Sequence, residues 1–432
     1  MASPLDLLPV DRDGADAAAA YGLALTQFSG GNAVGLLRGG DEFFPTLIEA
    51  VSQARREVWL ATYIFHHDAA GQQVAQALAD AARRGVQVRV VVDGFGSHQS
   101  LGRLAEWLEP SGVGLAVFRP IRRWWNWLQP GQLRRLHQKL CVVDGEVAFV
   151  GGINIIDDRN DLNHGATEQP RLDFAVSVRG PAVQAVAQTT RAMWTRAAIG
   201  QDWRDEMLAL GRSAEPLLRA RRLLRQMRIL PPAPDEAVNP APVQVAFLVR
   251  DNLRQRRTIE RSYIEAIRHA RRRFDLVTPY FYPGRGFRRT LIKAAQRGVR
   301  VRLLLQGKAD YRLAALAAQV LYDELLAEGV EIYEYTPAFL HAKVGMVDSH
   351  WATVGSSNID PLSLLLNLEA NVVVRDQPFS DELTARYEQA LAVSHRVTAA
   401  PFAKGAMAVM RRALVAWLAH SYLRMAGSNG NY

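Results

Sequence analysis

The chain holds ten histidines and five lysines in 432 residues. Two of the lysines stand two places after a histidine, as His137/Lys139 and His341/Lys343. Chance would supply about 0.1 such pairs in a chain of this composition. Each pair is followed by an aspartate five residues on (Asp144, Asp348), a glycine seven further (Gly151, Gly355) and an asparagine three after that (Asn154, Asn358). Residues i and i+2 of a strand share a face, so each histidine projects beside its lysine. The turn Gly151-Gly152 or Gly355-Ser356 then brings Asn154 or Asn358 alongside. Imidazole, ammonium, amide and turn N–H groups on one spot suit a phosphate, with Lys139, Lys343, Asn154, Asn358, Gly152 and Ser356 holding its non-bridging oxygens. Two such spots face to face provide two histidines, which a covalent phosphodiester exchange needs. One neutral imidazole attacks phosphorus; the other protonates the leaving oxygen and then deprotonates the incoming hydroxyl.

This chemistry calls for no metal or other cofactor, and no carboxylate cluster is evident that would hold a metal. His66, His67 and Asp68 are adjacent in sequence; neighbouring residues at a strand end point apart, which argues against a metal site there. A further acid sits on an apolar strand after each motif, Asp173 in LDFAVSVR and Glu369 in LEANVVVR. A carboxylate so placed can fix a histidine tautomer. Asp144 and Asp348 are counted with the catalytic set, although Asp144-Gly145 also reads as a hairpin turn whose aspartate bonds local backbone.

The elements that position these residues come from a repeat. Ile48-Glu49-Ala50, Ala54-Arg55-Arg56, Leu60 and Phe65 return as Ile264-Glu265-Ala266, Ala270-Arg271-Arg272, Leu276 and Phe281. Arg84-Gly85-Val86 returns as Arg297-Gly298-Val299, and LHQKLCVVD at 136–144 as LHAKVGMVD at 340–348. Helical apolar spacing over 44–56, a strand-length apolar run over 58–65, a helix over 73–84 ended by Gly85 and a strand over 86–93 predict alternating helices and strands. The fold class is therefore α/β, with two similar domains, each a sheet flanked by helices, packed with pseudo-twofold symmetry and sharing a site. The expected boundaries are a tail at 1–33, a first domain at 34–229, a linker at 230–242, a second domain at 243–397 and a C-terminal amphipathic segment at 398–432. Five prolines make the linker stiff and extended.

At these residues the sequence resembles the phospholipase D superfamily, marked by HxKxxxxD with a glycine turn and asparagine after it. Both copies are complete, and the resemblance covers roughly residues 34–397. The run HWATVGSSNIDPLSLLLNLEANVVV at 350–374, with GGIN at 151–154, is similar to the bacterial cardiolipin synthases of the B type. That resemblance implies two mixed-sheet α/β domains, a phosphatidyl-histidine intermediate and transfer to a lipid-borne hydroxyl. It implies His137 as nucleophile and His341 as acid/base, and a structural part for the motif aspartates. The implied reaction releases glycerol when phosphatidylglycerol is the donor, or ethanolamine when phosphatidylethanolamine is. A hydrolytic phospholipase D or a nuclease of the same superfamily is the alternative.

The formal charge of +9 and a pI near 9.8 imply anionic partners. Arg119, Arg122, Arg123, Arg134 and Arg135 surround Trp124, Trp125 and Trp127. That mixture suits a bilayer interface and also stacking on single-stranded bases. Arg219, Arg221, Arg222, Arg225 and Arg228 lie among leucines, and Ala413 to Leu423 is an apolar run with basic ends; both read as helices able to lie on anionic lipid. The expected partners are thus phosphatidylglycerol and the membrane surface, with no nucleic acid. The N-terminus lacks a basic n-region before an apolar run, and no uncharged run approaches the ~20 residues that span a bilayer. A peripheral place on the cytoplasmic side of a bacterial membrane is the expected localisation. The single cysteine, Cys141, excludes an internal disulfide.

Overall fold

The computed structural model describes residues 26–120, 134–162, 165–201, 243–251, 255–308, 321–360 and 366–398. The tryptophan–arginine segment around 122–127, the basic stretch 217–230, the proline-rich linker and the C-terminal run lie outside them.

The first half lays down strands β1 (Ala33–Arg38), β2 (Glu57–Thr62), β3 (Gln87–Asp93), β4 (Gly114–Phe118), β5 (Arg135–Leu136), β6 (Leu140–Val143), β7 (Val147–Gly151), the short pair β8 (Asn160–Asp161) and β9 (Gly165–Ala166), and β10 (Phe174–Arg179). Helices α1 (Gly39–Ser52), α2 (Ala69–Arg83), α3 (Leu101–Leu108) and α4 (Val183–Gln201) alternate with them. The second half contributes β11 (Gln244–Arg250), β12 (Arg273–Thr278), β13 (Arg300–Gln306), β14 (Glu331–Tyr335), β15 (Val344–Val347), β16 (Trp351–Gly355), β17 (Asn367–Arg375) and β18 (His395–Arg396), with α5 (Thr258–His269), α6 (Arg285–Gln296) and α7 (Gln377–Ala392).

The first sheet runs β1-β10-β7-β6-β2-β3-β4 and the second β11-β17-β16-β15-β12-β13-β14-β18. The same order recurs in both, as the repeat predicts. In each sheet three strands run parallel (β2, β3, β4; β12, β13, β14) and the rest pair antiparallel. The central strands are buried on both faces, which is why they read as continuous apolar runs rather than alternating ones.

Local signals set the element ends. Asp68 begins α2 by accepting the Gly71 N–H at 3.0 Å, and Gly85 ends that segment at φ +91°, a conformation glycine adopts without cost. The inner face of α1 presents Phe43, Phe44, Leu47 and Val51, all buried. These pack with Val74 and Leu78 of α2 and with Val58, Leu60 and Val90 of the sheet. The other face of the first sheet, through Ala61, Val91, Val142 and Val176, joins a second apolar cluster. That cluster also contains Val344, Val354, Val372 and Ala370 of the second sheet. The two halves are thus welded by a shared core, with helices covering the outer faces.

Two short contacts cross this core and matter most for the site. Strand β5 adds to the second sheet, pairing Leu136 with Leu368 in parallel. Reciprocally, Leu172 of the first half pairs with Leu340 of the second in an isolated parallel bridge. All four leucines are buried. Each histidine follows directly on one of these crossings.

Candidate active site

The crossing strands place the two motifs from opposite sides. The His137 N–H donates to Leu368 O at 3.0 Å, and the His341 N–H donates to Leu172 O at 2.9 Å. Each catalytic backbone is therefore registered by the other half of the chain. One residue beyond each accepting carbonyl stands an acid, and the pairing the two acids make is exchanged. His341 Nδ1 lies 2.6 Å from Asp173 Oδ2. His137 Nδ1 lies 3.2 Å from Glu369 Oε1, an ion-pair contact rather than an aligned hydrogen bond. A carboxylate at Nδ1 selects the tautomer that turns Nε2 toward the site. Asp173 and Glu369 thus stand against the histidines, each beside the motif of the opposite half.

The lysines complete the set. Lys139 Nζ donates to the His137 carbonyl at 2.8 Å, and Lys343 Nζ donates to the His341 carbonyl. Both lysines are buried. The ring of Tyr63 lies 4.9 Å from that of His137, centroid to centroid, and Lys139 Nζ stands 5.5 Å from the Tyr63 centroid, in cation–π range. Burial, and then the charge of Lys343, push Lys139 down to about 7. Burial pushes Lys343 down to about 8, against the pull of Asp173 and Glu369. Both imidazoles are held below the ordinary histidine range, first by burial and then by the neighbouring lysine. Burial therefore disfavours the charged forms of both lysines and both histidines. A bound anion would offset that penalty and favour their protonation.

Asn154 and Asn358 are buried beside the motifs. Asn154 Oδ1 accepts the Ile64 N–H at 3.2 Å, which ties the amide to the chain after β2. Asn358 lines a small cavity with Arg250, Glu260 and Gly284.

Four predicted site residues do other work. Gly152 N–H donates to Phe174 O at 2.9 Å, and a Cβ at Gly152 would meet Asp173 Oδ1 at 2.2 Å. Ser356 N–H donates to Ala370 O at 3.0 Å, and its hydroxyl donates to Glu369 Oε2 at 3.1 Å. The neighbouring strand takes up the turn's N–H in each case, and each residue stands against the carboxylate of its own half. Asp144 and Asp348 are likewise not brought to the site. Both sit in hairpin turns at positive φ, 55° and 51°, at the far end of the motif strand, ~16 Å from the lysine at the usual strand rise. Asp144 accepts the N–H groups of Arg55, Arg56 and Glu57 at 2.8–2.9 Å. Asp348 does the same for Arg271, Arg272 and Arg273 at 2.8–3.1 Å. They are brackets that hold the loop before the parallel strands.

His66 and His67 depart from the geometry expected of strand-end neighbours. Their rings do not point apart but lie together, with centroids 4.5 Å apart and planes tilted by 34°. Asp68, the third member, is spent on capping α2 and accepting the Asp157 N–H at 2.9 Å. Among the described residues no cluster of histidine, cysteine and carboxylate groups has metal-binding geometry.

Several positioning groups went unnoticed in the sequence. Asp93 is fully buried, and its Oδ2 accepts the Leu136 N–H at 2.8 Å, one residue before His137. The equivalent place in the second half holds Gln306, whose Oε1 accepts the Leu340 N–H at 2.7 Å. Gln138 is buried and donates from Nε2 to Glu369 O at 3.2 Å. Arg250, also buried, puts Nη2 3.3 Å from Glu369 Oε1.

A family model described as "Cardiolipin synthase, PLD-like domain" matches residues 47–167 and 263–391, more than half of the chain. The chain belongs to the cardiolipin synthase family. Cardiolipin synthase B of Escherichia coli (strain K12) is 36% identical over 355 residues, covering 82% of this chain and 79% of that protein. Cardiolipin synthase A of Pseudomonas fluorescens (strain SBW25) is 32% identical over 368 residues, covering 85% of this chain and 70% of that protein. Among solved structures, phosphatidylserine synthase from Haemophilus influenzae Rd KW20 superimposes with a TM-score of 0.63 over 90% of this chain and 93% of that one. At 12% identity that likeness speaks to the fold alone. Membership of the cardiolipin synthase family and the two-histidine site make the chain a phosphatidyltransferase, as the resemblance implied.

Proposed function

We propose that this enzyme makes cardiolipin by transferring a phosphatidyl group to the glycerol hydroxyl of phosphatidylglycerol. The observation that carries the reading is the exchanged pairing of His137 with Glu369 and of His341 with Asp173 around one pair of buried lysines. Such a pairing yields two oriented imidazoles in one site, as double displacement requires.

In the first step the His137 Nε2 lone pair attacks phosphorus. An N–P bond forms and the P–O bond to the donor's head group breaks. The departing alkoxide takes the Nε2 proton of His341, so glycerol leaves when phosphatidylglycerol is the donor. In the second step the acceptor hydroxyl gives its proton to His341 while its oxygen attacks phosphorus and the N–P bond breaks. Lys139 and Lys343, with the amides of Asn154 and Asn358, neutralise and hydrogen-bond the non-bridging oxygens as charge grows. Nothing in these steps consumes an external oxidant, reductant or metal.

The substrate lies in a membrane, and the proposed placement is peripheral, on the cytoplasmic face. Among the described residues no helix is long and apolar enough to cross a bilayer, and the positive charge of the chain favours anionic lipid. The two domains are proposed to span 34–229 and 243–397, one around each sheet. Water competes with the lipid hydroxyl for the same intermediate, so hydrolysis is the second reading.

The test is a product assay. Purified enzyme is given phosphatidylglycerol vesicles and the lipids are read by mass spectrometry. Cardiolipin with stoichiometric glycerol is the expected result. Phosphatidic acid as the sole product would replace the synthase reading with a hydrolase.

A further inference from the structure

The two halves repeat each other closely enough that a difference between them at the same position is informative. In the second sheet Arg250 is the last residue of β11 and pairs in register with Glu369. In the first sheet the register runs Arg38 with Phe174, so the residue across from Asp173 is Gly39, whose N–H donates to Asp173 O at 2.9 Å. One histidine-orienting acid therefore faces a buried arginine and the other faces a glycine.

The surroundings continue the asymmetry. Glu369 Oε1 is shared between His137 Nδ1 at 3.2 Å, Arg250 Nη2 at 3.3 Å and Asn367 Nδ2 at 3.2 Å. Its second oxygen accepts the Ser356 hydroxyl at 3.1 Å. Arg250 has 1% of its side chain exposed, so solvent screens this pair little. Asp173 instead accepts the Phe174 N–H at 2.8 Å and keeps its other oxygen for His341 at 2.6 Å. Among the described residues no arginine forms an ion pair with it. In the place of a cation, the first half sets a second buried carboxylate, Asp158, beside Gly39 and Gly40. The remaining charges near the two rings are Lys343, which acts on both, Lys139 beside His137 and Arg171 near His341. Arg171 is itself ion-paired to Asp161 at 3.3 Å. Glu260 is the further acid near Arg250.

We propose that Arg250 is a positioning residue that divides the work between the histidines. By offsetting the charge of Glu369 it keeps His137 an unprotonated nucleophile, while Asp173, with which no arginine pairs among the described residues, is free to hold His341 when an anion in the site draws the proton onto that ring. The physical basis is that a carboxylate stabilises an adjacent imidazolium in proportion to its uncompensated charge. The proposal rests on the phosphatidyl-transfer reading and adds the cause of the histidines' unequal roles.

The experiment compares Arg250→Met and Arg250→Lys with wild type, following cardiolipin formation from phosphatidylglycerol vesicles between about pH 3.5 and 9. Removing the cation strengthens the hold of Glu369 on a protonated His137, so the acidic limb of kcat/KM in Arg250→Met moves to higher pH, by about one unit. Arg250→Lys restores the wild-type limb. A merely structural arginine would lower the folded fraction and leave the limb where it is, and that result overturns the proposal. Wild-type enzyme supplies a second measurement that does not depend on any variant folding. With inorganic phosphate bound, 15N-histidine spectra near neutral pH are expected to show His341 as imidazolium while His137 is neutral; the reverse order overturns the proposal. Failure of the transfer reading is distinguishable, because wild type itself would then form no cardiolipin.

Discussion

His341 Nδ1 and Asp173 Oδ2 stand 2.6 Å apart although the residues come from opposite halves of the chain. The contact is made possible by the Leu172–Leu340 bridge, which sets the residue before His341 beside the residue before Asp173. A site built this way assembles only when the shared core forms. Chemistry and domain packing are therefore coupled, and the following outcomes are expected.

Asp173→Asn keeps the shape and removes the charge that holds the His341 tautomer. The analogous change in other histidine–carboxylate pairs costs about 10²–10⁴ in kcat. Glu369→Gln should lose comparable activity but also leave Arg250 buried without its anion, a defect worth about 3–5 kcal/mol. Urea denaturation of the two variants, read beside their turnover, is expected to show Glu369→Gln as the less stable. Equal stability would mean that Arg250 does not depend on Glu369.

Gly152→Ala tests the corrected role of the glycine turn. The added Cβ meets Asp173 Oδ1 at 2.2 Å, so the carboxylate must move away from His341. A drop of tenfold or more in kcat is expected, with KM little changed. Ser356→Ala merely removes one hydroxyl from Glu369 and is expected to cost a few-fold. If Gly152→Ala raised KM and spared kcat, the turn would be a phosphate cradle after all.

Asp144→Ala removes the acceptor of three backbone N–H groups and leaves alanine at a φ of 55°. The loss of stability is expected at about 1–3 kcal/mol, as for unsatisfied polar groups. Turnover per folded molecule is expected to stay near that of wild type. Asp144→Asn, which tolerates this conformation and can still accept, should recover most of the stability. Turnover and folded fraction measured together separate these outcomes.

The lysines make the empty enzyme's stability depend on pH. Folding lowers Lys139 to about 7 and Lys343 to about 8, so above those values the native state has released protons that the unfolded chain still holds. Stability linked to these groups therefore rises with pH from about 7 toward the ordinary lysine range. Sulfate, whose charge is constant here, binds the protonated lysines and relieves their burial. Its increase in Tm is expected to be large at pH 6.5 and small at pH 9. In the same sense, kcat/KM should fall on the alkaline side as the ammonium groups are lost. A sulfate effect that grew with pH would contradict the assignment of these lysines to the phosphate.

Much of this was readable before any fold was known, because the key signals are local. His137/Lys139 and His341/Lys343 share a strand face through spacing alone, and the repeat dictated two sheets of one topology. Asp173 and Glu369 stood out as acids on strands otherwise too apolar to carry them. What the sequence could not carry was the exchange: which histidine each acid serves depends on how two sheets pack, not on any spacing within one. Sequence places Gly152 and Ser356 next to the asparagines but does not show that the adjacent strand takes up their N–H groups. Arg250 and Asp93 end apolar strands, as many solvent-facing charges do, and only burial distinguishes them.

In the proposed mechanism His137 carries the phosphatidyl group while His341 moves protons. Wild-type enzyme mixed with phosphatidylglycerol labelled in its phosphate, quenched at neutral pH within a single turnover and digested, would yield the labelled peptide for mass spectrometry. Phosphorus is expected on His137, disappearing as cardiolipin forms. Phosphorus on His341, or cardiolipin formed with no labelled histidine at any time, would contradict it.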